Sequence, residues 1–422
     1  MKPLPENYAF LEGVRTFAGV PMTDLAAEFG TPLYVYDAAQ IRAAWSAYAT
    51  AFGTRAHRIC YAVKANHNPH LLAALVELGS GFDIVSGGEL ALVLAAGADP
   101  GQVIFSGVGK TRTELTAALD AGIGCFNVES AAELDLLDEL AAHRGLRAPV
   151  ALRVNPDVDP KTHPYIATGL SENKFGIAMD EARDLYRRAV RMPGLEVVGI
   201  ACHIGSQLTD ITPIVDAAAL VAELVHALDS DGIRLEHVDL GGGLGVDYEG
   251  EVPPEPAELV AKIARLFDEN LTLCVEPGRS IAAAAGVMLT EVLFTKTNGD
   301  REFVVVDAAM NDLMRPSLYG ARHRILNVRA ETTPARCDVV GPVCETGDFL
   351  GRDVELDAVS GDLLAVADVG AYGYVMASNY NVRGRPAEVW VADGRATLSR
   401  RRETLEDMRR LDLWPDAQSA PE

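Results

Sequence analysis

The chain has 422 residues, a formal net charge of −23 and 49% apolar residues. This length exceeds one ordinary domain and suits an α/β barrel of roughly 250 residues followed by a second domain. A strongly acidic protein is a poor non-specific ligand for nucleic acid or for an anionic membrane. We therefore expect its partner to be a small molecule or another copy of the chain.

No stretch of the sequence predicts a membrane segment or a metal site. Residues 1–10 lack an apolar signal-peptide core, and the longest weakly polar stretch, 280–294, is too short to span a bilayer. The six cysteines form no Cys-x-x-Cys pair and no cluster with histidine. We expect a soluble, cytoplasmic protein without a metal. The cysteines inside apolar runs should be buried thiols, not disulfides: Cys60, Cys125, Cys202 and Cys274.

Residues 31–280 alternate short apolar runs with longer amphipathic runs. The apolar runs predict strands over 58–63, 82–85, 103–105, 125–128, 150–154, 197–202, 237–240 and 272–275. The amphipathic runs predict helices over 69–78, 89–96, 113–121, 131–144, 180–192, 213–228 and 256–269. Eight such units in about 250 residues predict a (β/α)₈ barrel. The alternative is an open doubly wound sheet, which would not require a count of eight.

The pattern changes after residue 280. Strand-like runs at 287–296, 302–307, 363–367 and 388–392 are separated by turn signals such as Asn-Gly-Asp and Asp-Gly-Arg. We predict a mostly-β domain, sandwich-like or barrel-like, over 281–422. Residues 1–30 precede the barrel pattern, so we expect them to pack with this second domain.

Polar residues follow almost every predicted barrel strand. In barrel enzymes the chemistry lies at the C-terminal ends of the strands, so these side chains should converge on one mouth. They are Lys64, Ser86, Ser106, Glu129, Arg153 with Asn155, His203, Gly241–Gly243 and Glu276.

Three of these positions have both a structural and a functional interpretation. Lys64 could be solvated, or desolvation could keep its amine neutral for Schiff-base chemistry. Glu276 could pair with Arg279, or its carboxylate could meet a protonated pyridine nitrogen. His203 could be an ordinary core histidine or could stack on a cofactor ring.

The glycines after the seventh strand and Gly278-Arg279 after the eighth predict an anion site. Phosphate sites in this fold are often built from the loops after strands seven and eight. Consecutive glycines let backbone N–H groups approach an anion closely, although most glycine runs are only turns.

Four motifs occur in a specific order: Tyr-Ala-Val-Lys64-Ala-Asn, Cys-His203-Ile-Gly-Ser-Gln, Asp-Leu-Gly-Gly-Gly243 and Glu276-Pro-Gly-Arg. Together they resemble the barrel-type pyridoxal-phosphate (PLP) decarboxylases, which act on ornithine, arginine or diaminopimelate. Three further stretches, 162–177, 311–319 and 341–348, resemble the diaminopimelate branch of this family. The resemblance covers essentially the whole chain.

The resemblance implies a role for each matching residue. Lys64 would carry PLP as a Schiff base, His203 would stack on the ring, and Glu276 would meet the pyridine nitrogen. Cys344 would donate a proton, and Cys344 and Glu345 would reach into the other subunit's site of a homodimer. The remaining implied cofactor contacts are Asp83, Ser206, Gly242, Gly243, Pro277, Gly278, Arg279 and Tyr372. The implied substrate contacts are Arg279, Arg315, Tyr319, Glu345 and Tyr372.

The expected substrate, meso-2,6-diaminopimelate, carries a carboxylate and an ammonium group at its distal end, whereas ornithine carries only the ammonium. A site for the former needs both an arginine and an acid, and Arg315 and Glu345 offer that pair. The alternative is that the two form a surface salt bridge, which would contribute little. The expected reaction is PLP-dependent decarboxylation to L-lysine and carbon dioxide, the last step of bacterial lysine biosynthesis.

Three other functions remain open from the sequence. A related barrel decarboxylase could act on ornithine, arginine or carboxynorspermidine, although 311–319 argues against this. An alanine-racemase-like enzyme shares the fold type, but its tyrosine and carboxylate pattern is not matched. A non-catalytic PLP carrier of the single-barrel kind lacks a second domain, whereas about 140 residues follow this barrel.

Overall fold

A computed structural model describes residues 7–159, 168, 173–248, 250–330 and 333–413. Its contacts divide the chain into two compact units, Ala38–Ala285 and Met1–Asp37 with Gly286–Glu422. We name these units the barrel and the β domain. The barrel predicted over 31–280 begins too early, because a strand at Leu33–Asp37, which the apolar runs did not predict, pairs within the β domain. Its predicted end, residue 280, falls shortly before Ala285.

The N-terminal segment consists of short elements that all belong to the β domain. They are β1 (Phe10–Leu11), β2 (Val14–Phe17), β3 (Val20–Pro21), α1 (Met22–Phe29) and β4 (Leu33–Asp37). Strands β1 to β3 form an antiparallel sheet. Phe17, Met22 and Leu25 are buried in one apolar cluster with Val287 and Val389 from the C-terminal part of the chain. Burial of this surface holds residues 7–37 to the β domain.

The barrel alternates strands and helices along the chain. Its elements are α2 (Ala38–Phe52), β5 (His57–Ala62), α3 (Pro69–Glu77), β6 (Gly81–Ile84), α4 (Gly87–Ala95), β7 (Val103–Phe105), α5 (Arg112–Ala121), β8 (Cys125–Val128), α6 (Ala131–His143), β9 (Ala148–Asn155), β10 (Ile177–Ala178), α7 (Met179–Ala189), β11 (Leu195–Cys202), α8 (Thr212–Ser230), β12 (His237–Asp239), α9 (Pro256–Ile263), β13 (Thr272–Val275) and α10 (Arg279–Ala282).

The barrel strands form a closed parallel sheet. Their order among the described residues is β5-β6-β7-β8-β9-β11-β12-β13, and β13 pairs back with β5 through Leu273 and His57. All eight strands predicted from the apolar runs are therefore present. Closure also excludes the open doubly wound sheet, since an open sheet would leave two unpaired edges.

Four consecutive barrel helices, α3 to α6, begin at side chains that cap them. Asn68 accepts a hydrogen bond from the His70 N–H at the start of α3, and Ser130 accepts from the Glu133 N–H at the start of α6. Thr111 and Glu114 form a reciprocal capping box at α5. These bonds satisfy donors that a helix leaves unpaired in its first turn.

The β domain continues with β14 (Gly286–Asn298), β15 (Arg301–Val306), α11 (Arg315–Tyr319), β16 (Ile325–Asn327), β17 (Ala335–Val340), β18 (Phe349–Leu356), β19 (Leu363–Val366), β20 (Ala387–Ala392), β21 (Arg395–Arg400) and α12 (Leu405–Arg409). The main sheet has the order β18-β17-β15-β14-β4-β20-β21, and β19 pairs with both β14 and β16. The mostly-β character predicted for this domain is confirmed.

The cysteines of the apolar runs are buried. All six cysteines lie in the described part of the chain and are free thiols, and Cys344 alone among them is exposed. Cys60 and Cys125 pack inside the barrel with Ile104 and Ala151. Within the described residues, no helix combines the length and the apolar character needed to cross a bilayer.

One histidine inside the barrel is buried without a hydrogen bond at one ring nitrogen. His237, on β12, is 3% exposed, and its Nε2 atom has no partner among the described residues. A Cβ atom on Gly199 of the neighbouring β11 would lie 2.3 Å from this nitrogen, so the glycine makes room for the ring. Burial, together with the charge of the nearby Arg58, lowers the pKa of His237 from 6.5 to about 4.

We predict that His237 contributes to acid sensitivity. Because its folded pKa lies below its unfolded pKa, the unfolded state binds more protons between pH 6.5 and about 4. Stability should therefore fall as the pH falls through this window, by about 2 kcal/mol between pH 7 and pH 5. In His237→Phe, which cannot titrate, the difference in melting temperature between pH 7 and pH 5 should shrink. An unchanged difference would show that His237 is not the group responsible.

Candidate active site

A cavity of about 410 Å³ opens at the C-terminal ends of the barrel strands. Every strand of the closed barrel contributes a lining residue at or just beyond its end. The lining residues include Lys64, Val85, Ser106, Asn127, Arg153, His203, Asp239 and Glu276. Of the strand-end residues predicted to converge on one mouth, Lys64, Ser106, Arg153, His203 and Glu276 line this cavity, whereas Ser86, Glu129, Asn155 and Gly241–Gly243 are not among its lining residues.

Lys64 and Asp83 form an ion pair at one side of the cavity. Lys64 lies in a short 3₁₀ turn directly after β5, and its Nζ atom is 2.6 Å from Oδ2 of Asp83 on β6. The Asp83 side chain is fully buried, whereas that of Lys64 is 34% exposed. The second carboxylate oxygen of Asp83, Oδ1, has no hydrogen-bond partner among the described residues. The Lys64 amine therefore lines the cavity, and the carboxylate beside it has one oxygen, Oδ1, that can still accept a hydrogen bond.

Glu276 lies directly after β13 and is buried among neutral donors. Its Oε1 atom is 3.4 Å from both Oγ of Ser106 and Nδ2 of Asn127. Burial raises the pKa of Glu276 well above its usual range, and the charges of Asp239 and Asp83 raise it further. A group that brings positive charge to this side of the cavity would lower that pKa and stabilise the carboxylate.

Asp239, which ends β12, is a second buried carboxyl group beside Glu276. It is fully buried, its Oδ1 atom accepts the Gly241 N–H at 2.9 Å, and Oδ2 accepts from Asn127 at 3.3 Å. Burial raises its pKa, while hydrogen bonds from Glu276 and Gly241 act in the opposite direction. Two carboxyl groups this close share a proton more readily than they both ionise.

Neither Asp239 nor Asn127 is among the residues predicted from the strand ends. Both lie within a predicted strand, in the runs His-Val-Asp239-Leu and Cys-Phe-Asn127-Val. Their signal in the sequence is a polar side chain inside an apolar run. A buried polar group usually has a partner, so such a residue indicates a polar network in the core.

His203 follows β11 and is neutral. Its Nδ1 atom accepts a hydrogen bond from the Gly242 N–H at 3.3 Å, which leaves the ring proton on Nε2. Burial lowers the pKa of His203 well below its usual range, and the charges of Arg153 and Lys64 lower it further. A neutral imidazole with one nitrogen engaged in this way presents a flat face rather than a charge.

The glycine run after β12 is needed for close backbone packing. A Cβ atom on Gly242 would lie 2.2 Å from the carbonyl oxygen of Glu276, and one on Gly243 would lie 2.8 Å from the carbonyl oxygen of Gly205. Gly243 also has a φ of +126°, a conformation that other residues rarely adopt. Any side chain at these two positions would therefore displace the loops that carry Glu276 and His203.

Arg279 is buried near the same loops. Its guanidinium donates to Oγ of Ser206 through Nε at 3.2 Å and Nη2 at 3.0 Å, and Nη1 donates to the hydroxyl of Tyr248 at 3.0 Å. Glu276 takes its hydrogen bonds among the described residues from Ser106 and Asn127 rather than from Arg279. Gly278 lies tightly against β5, because a Cβ there would be 3.0 Å from that of Ala62.

A buried ion pair forms another wall of the cavity. Arg153 on β9 donates to Oε1 of Glu129 at 2.8 Å, and both side chains are at most 9% exposed. Glu129 also accepts the N–H groups of Gly107 at 2.8 Å and Gly176 at 3.1 Å. The guanidinium lies 4.9 Å from the centre of the Phe175 ring. Glu129 therefore fixes Arg153 and two cavity-lining loops together.

Two strand-end residues have local structural contacts. Ser86 caps α4 by accepting the Glu89 N–H, and Asn155 accepts the Asp157 N–H at 3.0 Å. These contacts account for their polar character without a role in chemistry. Most of the motif at 162–177 lies outside the described residues.

The β domain contains the remaining predicted site residues. Arg315 begins α11, is 5% exposed and has its guanidinium 6.0 Å from the centre of the Tyr319 ring. Its Nε donates to Nε2 of His323 at 3.4 Å, so the other ring nitrogen of His323 donates to the carbonyl of Ala367 at 3.0 Å. Arg315 and Tyr319 are thus neighbours.

Cys344 and Glu345 lie on an exposed turn between β17 and β18. The Cys344 N–H donates to Oδ1 of Asn381 at 2.8 Å. Glu345 lines a hollow of about 290 Å³ with Lys296, Phe303 and Phe349. Tyr372 has a φ of +57°, an uncommon value for an aromatic residue. A strained conformation of this kind is often retained at a functional site.

Comparison with known proteins gives one family. The family model described as "Pyridoxal-dependent decarboxylase, pyridoxal binding domain" matches residues 38–283. A diaminopimelate decarboxylase of Pseudomonas aeruginosa is 55% identical to this chain, over 96% of this chain and 98% of its own length.

Solved structures agree with these sequence matches. The structure of a diaminopimelate decarboxylase from Helicobacter pylori, complexed with L-lysine, has a TM-score of 0.90 and 43% identity and covers 92% of this chain and 98% of its own. The structure of a diaminopimelate decarboxylase from M. jannaschii, also in complex with L-lysine, has a TM-score of 0.92 and 40% identity and covers 97% of this chain and 98% of its own.

Proposed function

The chain belongs to the diaminopimelate decarboxylase family of PLP-dependent decarboxylases, and we propose that it converts meso-2,6-diaminopimelate to L-lysine and carbon dioxide. The observation that supports the residue roles is the barrel mouth, where Lys64, His203 and Glu276 line one cavity. Two relatives with this fold are known in complex with L-lysine, the product of this reaction. The reaction is the last step of bacterial lysine biosynthesis.

The cavity residues fit PLP by their chemistry. Lys64 offers an amine for the cofactor's aldehyde, and Glu276 offers a carboxyl group whose pKa is raised by burial and by the charges of Asp239 and Asp83. A protonated pyridine nitrogen would bring positive charge to this carboxyl group and stabilise its ionised form. Arg279 and Ser206, which contact each other, suit a phosphate group. Gly242, Gly243, Pro277 and Gly278 belong to the adjacent loops, and Tyr372 of the β domain is the remaining proposed phosphate contact.

PLP supplies an electron sink for the pair of electrons that a departing carboxylate leaves behind. The chain's own residues hold that sink in its active state. Glu276 would keep the pyridine nitrogen protonated, and Asp83 fixes the Lys64 amine through the 2.6 Å ion pair. His203 would offer the ring a flat surface that burial keeps neutral, with its Nδ1 engaged by Gly242. Together these contacts would orient the reacting bond.

Recognition of the distal end of the substrate falls to the β domain. Arg315 binds the distal carboxylate, helped by Tyr319, and Glu345 binds the distal ammonium group. Arg279 and Tyr372 complete the substrate contacts. A guanidinium is suited to a carboxylate because its planar donors match both oxygens. Ornithine lacks the distal carboxylate, so this pair of charges favours diaminopimelate.

Cys344 donates the proton that completes the reaction. The bond between the α-carbon and the carboxylate would break with its electron pair held by the sink, and that pair would return to the α-carbon to form the new C–H bond with the thiol proton. Cys344 and Glu345 serve the partner subunit's cavity in a homodimer. Their exposure on a surface turn supports this arrangement, since a side chain that acts in another subunit must project from its own.

We infer a cytoplasmic location from the sequence. The chain has free thiols at all six cysteine positions, which suits a reducing compartment.

We predict that PLP attaches to Lys64. The purified protein loaded with PLP should absorb light near the boundary between the ultraviolet and the visible range. Borohydride reduction should attach the cofactor permanently to a peptide that contains Lys64. Lys110 is a matched internal control, because its side chain is buried in the same barrel and is held by Glu133 at 2.7 Å. Mass spectrometry should find no label on Lys110. Labelling of another lysine in place of Lys64 would contradict the assignment.

We predict that Arg315→Ala loses most of its activity on diaminopimelate. Truncating an arginine that pairs with a buried carboxylate commonly costs about 2–5 kcal/mol, so kcat/KM should fall by roughly 30-fold or more. The ratio of activity on diaminopimelate to activity on ornithine should fall as well.

Arg301→Ala is the matched control, since Arg301 belongs to the same domain and its side chain is 69% exposed. It should keep parental kinetics. Parental kcat/KM in Arg315→Ala would show that Arg315 is not a substrate ligand.

We predict that active sites are shared across a two-fold homodimer. Lys64→Ala and Cys344→Ala should each be severely impaired. When subunits of the two variants exchange, both changes fall in one site of each mixed dimer, and the other site is intact. With random pairing, activity should recover to about a quarter of the parental value.

The control is the Lys64→Ala/Cys344→Ala double variant mixed with an equal amount of parental protein. Both sites of its mixed dimers are damaged, so exchange should lower the activity from about a half to about a quarter. If mass spectrometry shows exchange but the two single variants stay inactive together, Cys344 acts in its own subunit.

A further inference from the structure

Two consecutive residues of the β domain have a strained backbone that the proposed catalytic roles do not use. Asn381 and Val382 both have a φ of +57°. Asparagine tolerates this left-handed conformation, but for a β-branched valine it is an outlier. Val382 is 66% exposed, so packing of its own side chain does not impose the conformation. Strain of this kind persists only when surrounding contacts hold it, and it concentrates at functional sites.

The strained pair lies in a tight turn whose two ends are fixed to one residue, Asn311. The Ser378 N–H donates to the carbonyl of Asn311 at 2.8 Å, and Nε of Arg383 donates to Oδ1 of Asn311 at 3.2 Å. Asn311 opens the motif that carries Arg315. The turn is therefore held at the start of the segment proposed to bind the distal carboxylate.

The tip of this turn contacts the main chain of Cys344. Oδ1 of Asn381 accepts the Cys344 N–H at 2.8 Å. The left-handed conformation directs this side chain at a residue 37 positions away along the chain. The atom that faces the N–H must be the amide oxygen, because the amide nitrogen of asparagine can only donate.

The buried carboxyl group of Asp348 holds Val343, the residue that precedes Cys344. Asp348 is 3% exposed, and its Oδ2 atom accepts the Val343 N–H at 2.8 Å. Its Oδ1 atom accepts the Met310 N–H at 2.6 Å, directly before Asn311. A Cβ on Gly341 would lie 2.5 Å from Oδ2, so the turn fits tightly against this carboxyl group.

We propose that Asn381 and Asp348 form a two-armed clamp that positions the Cys344 thiol relative to the Arg315 motif. The two arms accept the successive N–H groups of Val343 and Cys344, and both arms are anchored at Met310–Asn311. Asn381 and Asp348 are positioning residues, since they act through the main chain of the proton donor. This inference rests on the proposed role of Cys344.

The clamp accounts for the strain. Relaxing Asn381 to ordinary helical dihedrals would turn its side chain away and leave the Cys344 N–H without that acceptor. A general acid contributes only when it is held within hydrogen-bond reach of the atom that it protonates. A fixed turn at Cys344 therefore favours delivery of the thiol proton to the carbon that lost the carboxylate. With the thiol out of reach, a proton would add to the cofactor's own carbon, and hydrolysis would then release an aldehyde in place of lysine and leave the amino group on the cofactor.

The test compares three substitutions that separate the acceptor from the strain. Asn381→Gly keeps the left-handed conformation and removes the acceptor, whereas Asn381→Asp keeps both. Val382→Gly removes the strain at the neighbouring residue and keeps Asn381. The full-length enzyme loaded with PLP is assayed for kcat, for KM and for the number of lysine molecules formed per carbon dioxide released. Hydrogen exchange of the peptide that contains Val343–Glu345 is measured in parallel.

In Asn381→Gly we expect kcat to fall by roughly tenfold, part of the 10²–10⁴-fold that a positioned general acid supplies. KM should change little, lysine per carbon dioxide should fall below one, and amide exchange at Cys344 should speed up. Asn381→Asp and Val382→Gly should resemble the parent in all four measurements.

Asp348→Asn tests the second arm, because one amide oxygen cannot accept two N–H groups in these two directions. It should lower kcat and the lysine yield in the same way. Asp338→Asn is its control, since Asp338 is a buried aspartate of the same domain whose Oδ1 accepts the Asp353 N–H at 2.8 Å. That variant should keep a yield of one lysine per carbon dioxide.

Parental kcat, yield and exchange in Asn381→Gly, beside a Cys344→Ala variant that loses activity, would overturn the clamp and leave the proposed function intact. If Val382→Gly lost as much kcat and lysine yield as Asn381→Gly, the clamp would also be overturned. The losses would then come from the conformation of the turn and not from removal of the hydrogen-bond acceptor. If Cys344→Ala itself keeps parental kcat and yield, the proton-donor role fails, and the clamp fails with it.

Discussion

Buried negative charge at the mouth of the barrel is the constraint on which the site depends. Asp83 and Asp239 are fully buried, Glu276 is nearly so, and all three line or adjoin one cavity. Burial disfavours the charged forms of Asp239 and Glu276, and the Lys64 amine pairs with Asp83 at 2.6 Å. Such an arrangement is stabilised by a cationic group in the cavity, which is the electrostatic property that a protonated pyridine ring has.

The barrel fold brings these buried charged groups together. Parallel strands all end at the same rim, so side chains far apart in sequence meet there without long loops. The close approach of the loops is possible because Gly242 and Gly243 have no Cβ atoms to meet the carbonyl groups of Glu276 and Gly205. The Gly242 N–H in turn engages Nδ1 of His203, so a single glycine fixes both the spacing of the loops and the tautomer of His203.

The β domain meets a different requirement, which is to hold polar groups on a surface turn. Surface loops are mobile by default, because they make few buried contacts. Here Asp348 and Asn381 give the Cys344 turn two main-chain hydrogen bonds, and both lead back to Met310–Asn311. The properties of the barrel site thus depend mainly on buried charges, whereas the position of the Cys344 turn in the β domain depends on main-chain hydrogen bonds.

The amino-acid sequence by itself determined the barrel strands, the family and the expected reaction. Apolar runs predicted all eight barrel strands, since a strand buried on both faces must be apolar along its length. Polar residues directly after those runs predicted that Lys64, His203 and Glu276 would lie together, and all three line one cavity. Only the tertiary structure could decide that β4 leaves the barrel for the β domain, because strand partners are not encoded in a local pattern. Only it revealed Asp239, Asn127, Asp348 and Asn381. Each of them acts through a contact with a residue distant in sequence, and such contacts exist only once the chain has folded.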